Sequence, residues 1–202
     1  LGVDLTIVDG ALSRKSPASP AITEGLILTT GAAIAPDMAS VVAKTKFVYK
    51  LTQLPVFESA LHDELLFAEP GICAIEQDIL YRLPIASPLL FTKCKDKLFS
   101  HGNTLFVSGI VTDNMLDYLR IQPNVKDVCL VVKDFTKIFV TPMSLAGFLQ
   151  KGGRLMVLQR PNLLAICINP VSPMGYTMDS DALCQALQSE IEVPVYDVMK
   201  VE

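Results

Sequence analysis

The densest polar chemistry in the chain lies in the segment IVDGALSRKSPASP, residues 7–20. An apolar run ends there in a carboxylate, which is followed by hydroxyl groups and two adjacent cations; the candidate ligand-binding residues are Asp9, Ser13, Arg14, Lys15 and Ser16. Arginine binds phosphate through paired hydrogen bonds and lysine binds it as a point charge. Phosphate-transfer proteins commonly place an acid at a strand end, near magnesium. The segment therefore predicts an anion-binding loop with Mg²⁺ at Asp9.

The same residues also fit a polar connection without a ligand. In that interpretation Asp9 closes a turn, the serines bond local backbone, and both cations point into water. The anion-binding interpretation requires residues 5–8 to form a strand in the interior of a sheet, which we expect because the run Leu5-Thr6-Ile7-Val8 does not alternate polar with apolar residues.

Two further segments could contribute to the same site. Ligands of parallel sheets bind where the strands end at their carboxyl termini. The next apolar run, GLILTT, ends in Thr29 and Thr30 and is followed by Gly31. Later in the chain, INPVSPMGYTMDSDAL offers the secondary pocket candidates Asn169, Ser172, Tyr176 and Thr177. The simpler interpretation of this later segment is a strand-to-helix connection in which two prolines limit loop entropy.

The remaining polar segments predict structure rather than chemistry. Ser108, in SGIVTDNM, lacks the G-x-S-x-G context of a nucleophile elbow, and Thr112 or Asp113 is expected to cap a helix. The run KCKDK at 93–97 is most simply a solvated turn. The two histidines are far apart and have no metal-ligand spacing.

Composition excludes several classes of protein. The chain has 202 residues, half of them apolar and about a fifth charged, with a net charge of −4. This composition predicts a folded globular chain and argues against a general nucleic-acid binder, which needs a broad basic surface. No run reaches the roughly 20 apolar residues of a membrane span, and no signal-peptide pattern is present. The five cysteines include no C-x-x-C pair, which predicts reduced thiols and a cytoplasmic location.

Short apolar runs, among them those at 25–30, 104–110 and 163–168, alternate along most of the chain with amphipathic helical patterns, among them those at 36–53 and 180–191. The runs are not alternating, which is typical of strands that helices cover on both faces. We therefore predict an α/β fold with a mostly parallel sheet and helices on both faces. Pro55 is expected to divide it into two closely packed parts, residues 1–55 and residues 56–202. The chain opens at Leu1, without methionine and already close to a strand-like run, so we expect earlier residues to precede it.

Residues 4–46, VDLTIVDGALSRKS…GLILTTGAAIAPDMASVVAKT, resemble the later part of a P-loop fold of the dethiobiotin-synthetase kind. Asp9-Gly10-Ala11 matches the acid-Gly-Ala turn of that fold, which implies a metal-proximal position for Asp9. The chain departs from the family in having no G-x-x-x-x-G-K-[ST] motif in residues 1–202. More faintly, the whole chain resembles accessory proteins that reactivate cobalamin-dependent amino-acid aminomutases in bacteria.

These observations favour a cytosolic accessory protein, the carboxyl-terminal portion of a P-loop-like, nucleotide-linked chain that acts on a protein partner. ATP or GTP with magnesium is the expected cofactor if the upstream region is present. Residues 1–202 alone are expected to bind no cofactor and to hydrolyse no nucleotide, and the sequence leaves open whether the protein is an enzyme. The alternative is a metabolic enzyme that binds an anionic or phosphorylated small molecule at the same sheet edge. A third possibility is an interaction domain without a ligand. The sequence does not indicate the oligomeric state.

Overall fold

The computed structural model describes residues 2, 4–9, 16–85, 89, 91 and 97–200. These residues form an α/β fold, which confirms the fold class at that level. The chain divides into two compact units: unit 1 comprises Leu1–Gln53 and Pro161–Glu202, and unit 2 comprises Leu54–Arg160. Among the described residues, no helix has both the length and the apolar character needed to cross a membrane.

The described elements are numbered in chain order. The strands are β1 (Leu26–Gly31), β2 (Ile72–Glu76), β3 (Ile79–Arg82), β4 (Thr104–Val107), β5 (Val111–Thr112), β6 (Cys129–Val132), β7 (Ile138–Phe139), β8 (Arg154–Val157), β9 (Leu163–Asn169) and β10 (Val195–Asp197). The helices are α1 (Met38–Thr52), α2 (His62–Leu66), α3 (Asp113–Leu119), α4 (Pro142–Gln150) and α5 (Ser180–Gln188).

The sheet of unit 1 is fully parallel, with the strand order β1-β9-β10. Helices α1 and α5 pack on the same face of it, in one apolar cluster with Ile166 and Ile168 of β9. Both crossovers run in the same direction across the sheet, and right-handed crossovers then place their helices on one side. The expected helices on both faces are therefore not found among the described elements of unit 1. On the opposite face, Ile27 and Tyr196 are 56% and 48% exposed.

The main sheet of unit 2 is mixed, with the strand order β3-β2-β4-β6-β8. Strand β2 runs antiparallel to both β3 and β4, while β4, β6 and β8 are parallel. Strands β5 and β7 pair in parallel and form a separate two-stranded sheet. The prediction of a mostly parallel sheet is thus correct for unit 1 and only partly correct for unit 2.

The hairpin β2–β3 is an element that the sequence analysis missed. Its two-residue turn, Gln77-Asp78, has φ values of 51° and 58°, so both residues adopt the left-handed conformation that a type I′ turn requires. A type I′ turn usually carries Asn-Gly or Asp-Gly, whereas this turn carries Gln77-Asp78. The sequence signal was therefore absent although the hairpin forms.

The predicted interior strand at residues 5–8 is wrong. Residues 5–9 are assigned to no strand, and Leu5 and Ile7 are 77% and 86% exposed. A strand needs a ladder partner to satisfy its backbone, and an isolated extended segment is not stable in water. In the part of the chain that the structure describes, the strand that pairs with β1 is β9, from the far end of the sequence.

The division of the chain also differs from the predicted parts 1–55 and 56–202. The first break, between Gln53 and Leu54, lies next to Pro55, but Pro161–Glu202 groups with the start of the chain. The reason is the parallel ladder that joins β9 to β1 over six register pairs.

The β1–β9 ladder yields a stability prediction at Gly31, whose φ is 146° and whose absent Cβ would lie 1.9 Å from the Asn169 carbonyl oxygen. We expect Gly31→Ala to lower the free energy of unfolding by about 3 kcal/mol or more, because backbone strain and a backbone clash add together. Gly175→Ala is the matched control: its φ is 90°, but nothing lies within 4 Å of its Cβ position. It should cost about 1 kcal/mol in urea denaturation. Equal losses would show that the close approach contributes nothing.

Candidate functional site

Two of the three predicted groups of site residues meet at the carboxyl edge of the unit 1 sheet. Gly31, the last residue of β1, is the register partner of Asn169, the last residue of β9. The Ala32 amide donates to the Asn169 carbonyl oxygen at 3.0 Å, so the loops that follow the two strands start side by side. Parallel pairing brings together segments that are far apart in sequence, as a site at this edge requires.

The two loops enclose a cleft of about 280 Å³. One wall is the run Ala32–Pro36, and the other is formed by Ser172, Pro173, Met174 and Tyr176. Most of these side chains are small or apolar, and Ala33, Ile34 and Met174 are exposed to solvent. The described strands contain no reversal of crossover direction, so the cleft is formed by the loops themselves and not by a topological switch point.

Tyr176 connects the two walls of this cleft. Its hydroxyl oxygen lies 2.7 Å from the Ala32 carbonyl oxygen and 3.1 Å from the Ala35 carbonyl oxygen. A phenol has one proton to donate, so these two acceptors already occupy it. Tyr176 therefore fixes the spacing of the loops, and it also lines the cleft.

The loop after β9 is bonded largely to itself. The Asn169 side-chain oxygen accepts from the Val171 amide at 3.0 Å, and the buried Ser172 hydroxyl accepts from the Met174 amide at 3.2 Å. The Ser172 amide donates to the Tyr176 carbonyl oxygen at 2.8 Å, and Thr177 pairs with Val171 in an isolated bridge. These bonds give the rigid connection that the sequence offered as its simpler interpretation, and they also pre-form one wall of the cleft.

The two threonines of β1 have different surroundings, because successive strand residues point to opposite faces. Thr29 is exposed, whereas Thr30 is buried with its hydroxyl 2.6 Å from that of Thr45. The Thr45 hydroxyl uses its proton on the Val41 carbonyl oxygen at 2.8 Å, so Thr30 is the donor in the pair. Thr30 therefore ties β1 to α1, and neither threonine lines the cleft.

Carboxylates occupy the helix N-termini at this edge. Asp37 caps α1 by accepting from the Ser40 amide at 2.8 Å, and this bond lowers the pKa of Asp37. Asp179 caps α5 in the same way, accepting from the Ala182 amide at 3.0 Å. Free helix N-termini attract anions, but here each positive end already faces a negative side chain. A phosphate at this edge therefore needs its own cations.

Asp197, at the carboxyl end of β10, adds a further negative charge to unit 1. Its carboxylate accepts hydrogen bonds from the Ser180 hydroxyl and from the Met199 amide. The Ser180 bond is the main cause that lowers the pKa of Asp197 below its usual value. One cation is bonded to the cleft wall: Lys44 Nζ donates to the Ile34 carbonyl oxygen at 3.0 Å.

The opening segment is only partly described. Asp9 is exposed, and Ser16 starts a short 3-10 helix, Ser16–Ala18. Ser13, Arg14 and Lys15 lie outside the described residues, as does Cys94, so their roles stay predictions. Among the described residues, no group of three or more histidine, cysteine, aspartate or glutamate side chains is arranged to hold a metal ion. The described cysteines, Cys73, Cys129, Cys167 and Cys184, are free thiols.

Thr112 takes the N-cap position of α3, as the sequence predicts, but makes no side-chain capping bond. Asp113 instead accepts from the Thr141 amide at 2.7 Å, at the start of α4. The Ser108 hydroxyl donates to the Glu69 carbonyl oxygen at 2.7 Å, which is a structural role.

Sequence reasoning missed a larger cavity in unit 2, of about 600 Å³. It is lined by residues from α2, the segment that follows it, β2 and β3. The signal in the sequence was the acidic pair at 63–64, followed by the aromatic residue Phe67. In the structure Phe67 is 86% exposed. No spacing rule connects these residues to β3, because the hairpin that brings β3 beside β2 was itself not predicted.

The Thr30–Thr45 pair predicts a coupled effect on stability. We expect Thr45→Val to cost about 1–3 kcal/mol of unfolding free energy, because it leaves the buried Thr30 hydroxyl without its acceptor. The double variant Thr30→Val/Thr45→Val should be at least as stable as Thr45→Val alone, since no unpaired hydroxyl is left. Chemical denaturation of the wild type, Thr30→Val, Thr45→Val and the double variant gives the coupling energy. Strictly additive losses would contradict a hydrogen bond between the two hydroxyls.

The chain was compared with known proteins at three levels. No family model, no curated protein and no solved structure matched it. The resemblance of residues 4–46 to the dethiobiotin-synthetase kind of P-loop fold stays a prediction.

Proposed function

We propose that unit 1 binds a nucleotide, or another phosphorylated small molecule, at the carboxyl edge of its parallel sheet. This proposal departs from the sequence-based expectation that residues 1–202 alone bind no cofactor, because the described residues of unit 1 form a cleft at that edge. In this proposal the chain is a cytoplasmic accessory protein of the P-loop-like kind, and its ligand-bound state acts on a protein partner. The observation that carries the proposal is the convergence of the β1 and β9 ends on a cleft of about 280 Å³.

The residues that line the cleft favour the binding of an apolar part of the ligand there. Ligand sites are mostly apolar, with few polar groups, and are largely formed before the ligand arrives. The loops meet this description, since Ala33, Ile34 and Pro173 form apolar walls and Tyr176 fixes their spacing. A rigid cleft loses little conformational entropy on binding. An apolar group of the ligand fits here better than a phosphate does.

The phosphate then needs countercharge beside the cleft. Asp37 and Asp179 exclude it from the N-termini of α1 and α5. Lys44, bonded to the Ile34 carbonyl oxygen, supplies one cation at the cleft wall. Residues 5–8 form no strand that would bring residues 9–16 to this edge. Arg14 and Lys15, which precede β1 in the chain, are therefore proposed as the other cations on their charge alone, and magnesium at Asp9 is not part of the proposal.

Blocking the cleft tests where the ligand binds. We expect Ala33→Trp to weaken binding of a fluorescent ATP or GTP analogue at least about tenfold, because the indole fills the space between the loops. Ala21→Trp is the matched control, since Ala21 is exposed in unit 1 and does not line the cleft. Titrations with magnesium present give both affinities. Binding that is equal in the two variants, or absent for every nucleotide tested, would contradict the proposal.

Charge removal tests the phosphate ligands. Arg14→Ala should weaken binding about tenfold to a hundredfold, the value of a lost charged hydrogen bond of about 1.5–3 kcal/mol. Lys15→Ala should have a smaller effect, because a lysine side chain loses more conformational freedom per hydrogen bond than a planar guanidinium does. Isothermal titration calorimetry with ATP and magnesium measures both. Unchanged binding by Arg14→Ala would mean that residues 9–16 are only a polar connection.

A further inference from the structure

The cavity of unit 2 has an apolar floor and a polar rim. The floor includes Cys73 of β2, which is 5% exposed, and Leu80 of β3, which is half-buried. Both belong to the apolar cluster around Leu65. Burial raises the pKa of the Cys73 thiol, as expected for a thiol in apolar surroundings, so the floor is an uncharged surface.

The rim carries more negative than positive charge. Three carboxylates line it, those of Asp63, Glu64 and Glu69, together with the Arg82 guanidinium. Arg82 is the register partner of Cys73, and its Nη2 already donates to the Pro70 carbonyl oxygen at 3.2 Å. Arg82 lowers the pKa of Cys73 and Glu64 raises it, which places both charges near the floor.

One of these carboxylates, that of Glu69, interacts with a cation of the protein, Lys133. Its Nζ donates to the Ala68 carbonyl oxygen at 3.3 Å, and its charge interacts with that of Glu69. The carboxylates of Asp63 and Glu64, both on α2, are exposed and line the cavity. Neither carboxylate forms an ion pair with a cation in the part of the chain that the structure describes.

Phe67 supplies an aromatic surface at the rim. Its side chain is 86% exposed, although a folded protein gains by burying a phenyl ring. An exposed aromatic ring beside carboxylates is suited to an organic cation, because the ring face attracts positive charge and the carboxylates accept its hydrogen bonds.

We propose that this cavity is a binding site for a small organic cation, a primary amine that carries an apolar body. The ammonium group lies at Asp63 and Glu64, and the apolar body rests on Leu80 and against the Phe67 ring. The site belongs to unit 2 and is independent of the nucleotide site proposed for unit 1. A metal ion is a poorer fit, because no group of three or more metal ligands is found among the described residues. An anion is opposed by the net charge of the rim.

The probe for this proposal is phenethylamine, with 3-phenylpropanoate as a ligand of similar size and opposite charge. We expect the amine to bind with a dissociation constant of about 0.1–1 mM, which is typical for a ligand of so few atoms. Amide chemical shifts in an NMR titration should move at residues 63–69 and at the β2–β3 strands. Added salt should weaken binding, since the charged rim is exposed to solvent. Binding of the carboxylate in preference to the amine, or of neither, would overturn the proposal.

Two exposed side chains allow the site to be tested without disturbing the fold. We expect Glu64→Gln and Phe67→Ala each to weaken amine binding about twofold to fivefold, and the double variant about tenfold. The matched controls are Glu76→Gln and Phe139→Ala, which change exposed residues of unit 2 that do not line the cavity. The controls should bind like the wild type. If the amine binds equally well to the double variant, its site lies elsewhere and the proposal is wrong.

Discussion

The parallel ladder between β1 and β9 is the interaction on which unit 1 depends. It pairs residues 26–31 with residues 163–169, so the two ends of the chain form one sheet while unit 2 lies between them in sequence. Such a contact closes a long loop, which is an entropic cost that many local contacts do not carry. Helices α1 and α5 cover one face of the ladder. At its carboxyl end the two strands approach closely, which Gly31 permits because it has no Cβ. The candidate cleft exists because this ladder puts two distant loops beside one another.

Most of the polar side chains around the cleft make hydrogen bonds within unit 1. Thr30, Asn169, Ser172 and Tyr176 make bonds within unit 1, and these bonds hold the loops in place. Asp37 and Asp179 neutralise the helix N-termini, which in other α/β proteins bind phosphate. The cleft is therefore a rigid apolar wall with few unengaged groups. In the proposal for unit 1, charge recognition comes from Lys44 and from the basic residues before β1.

The two units offer cavities of opposite character. In unit 1, short loops after parallel strands form an apolar cleft with a lysine at its wall. In unit 2, an antiparallel hairpin places Arg82 and Leu80 opposite α2, and the rim of the cavity is acidic. The difference follows from strand direction, because parallel strands gather their ends at one edge, whereas an edge hairpin adds a side wall. The two proposals together give this chain separate sites for an anionic and a cationic ligand.

The sequence by itself determined the α/β class and most of the elements. The patterns at 25–30, 104–110 and 163–168 became strands, and the patterns at 36–53 and 180–191 became helices, because hydrophobic periodicity and caps such as Asp37 and Asp179 act locally. Tertiary structure alone decided that residues 5–8 form no strand, that Thr30 bonds to Thr45, and that residues 161–202 join the first unit. It also decided that Gln77 and Asp78 form the β2–β3 turn and so complete the acidic cavity. These features depend on which strand pairs with which, and a strand's own apolar residues do not specify its partner.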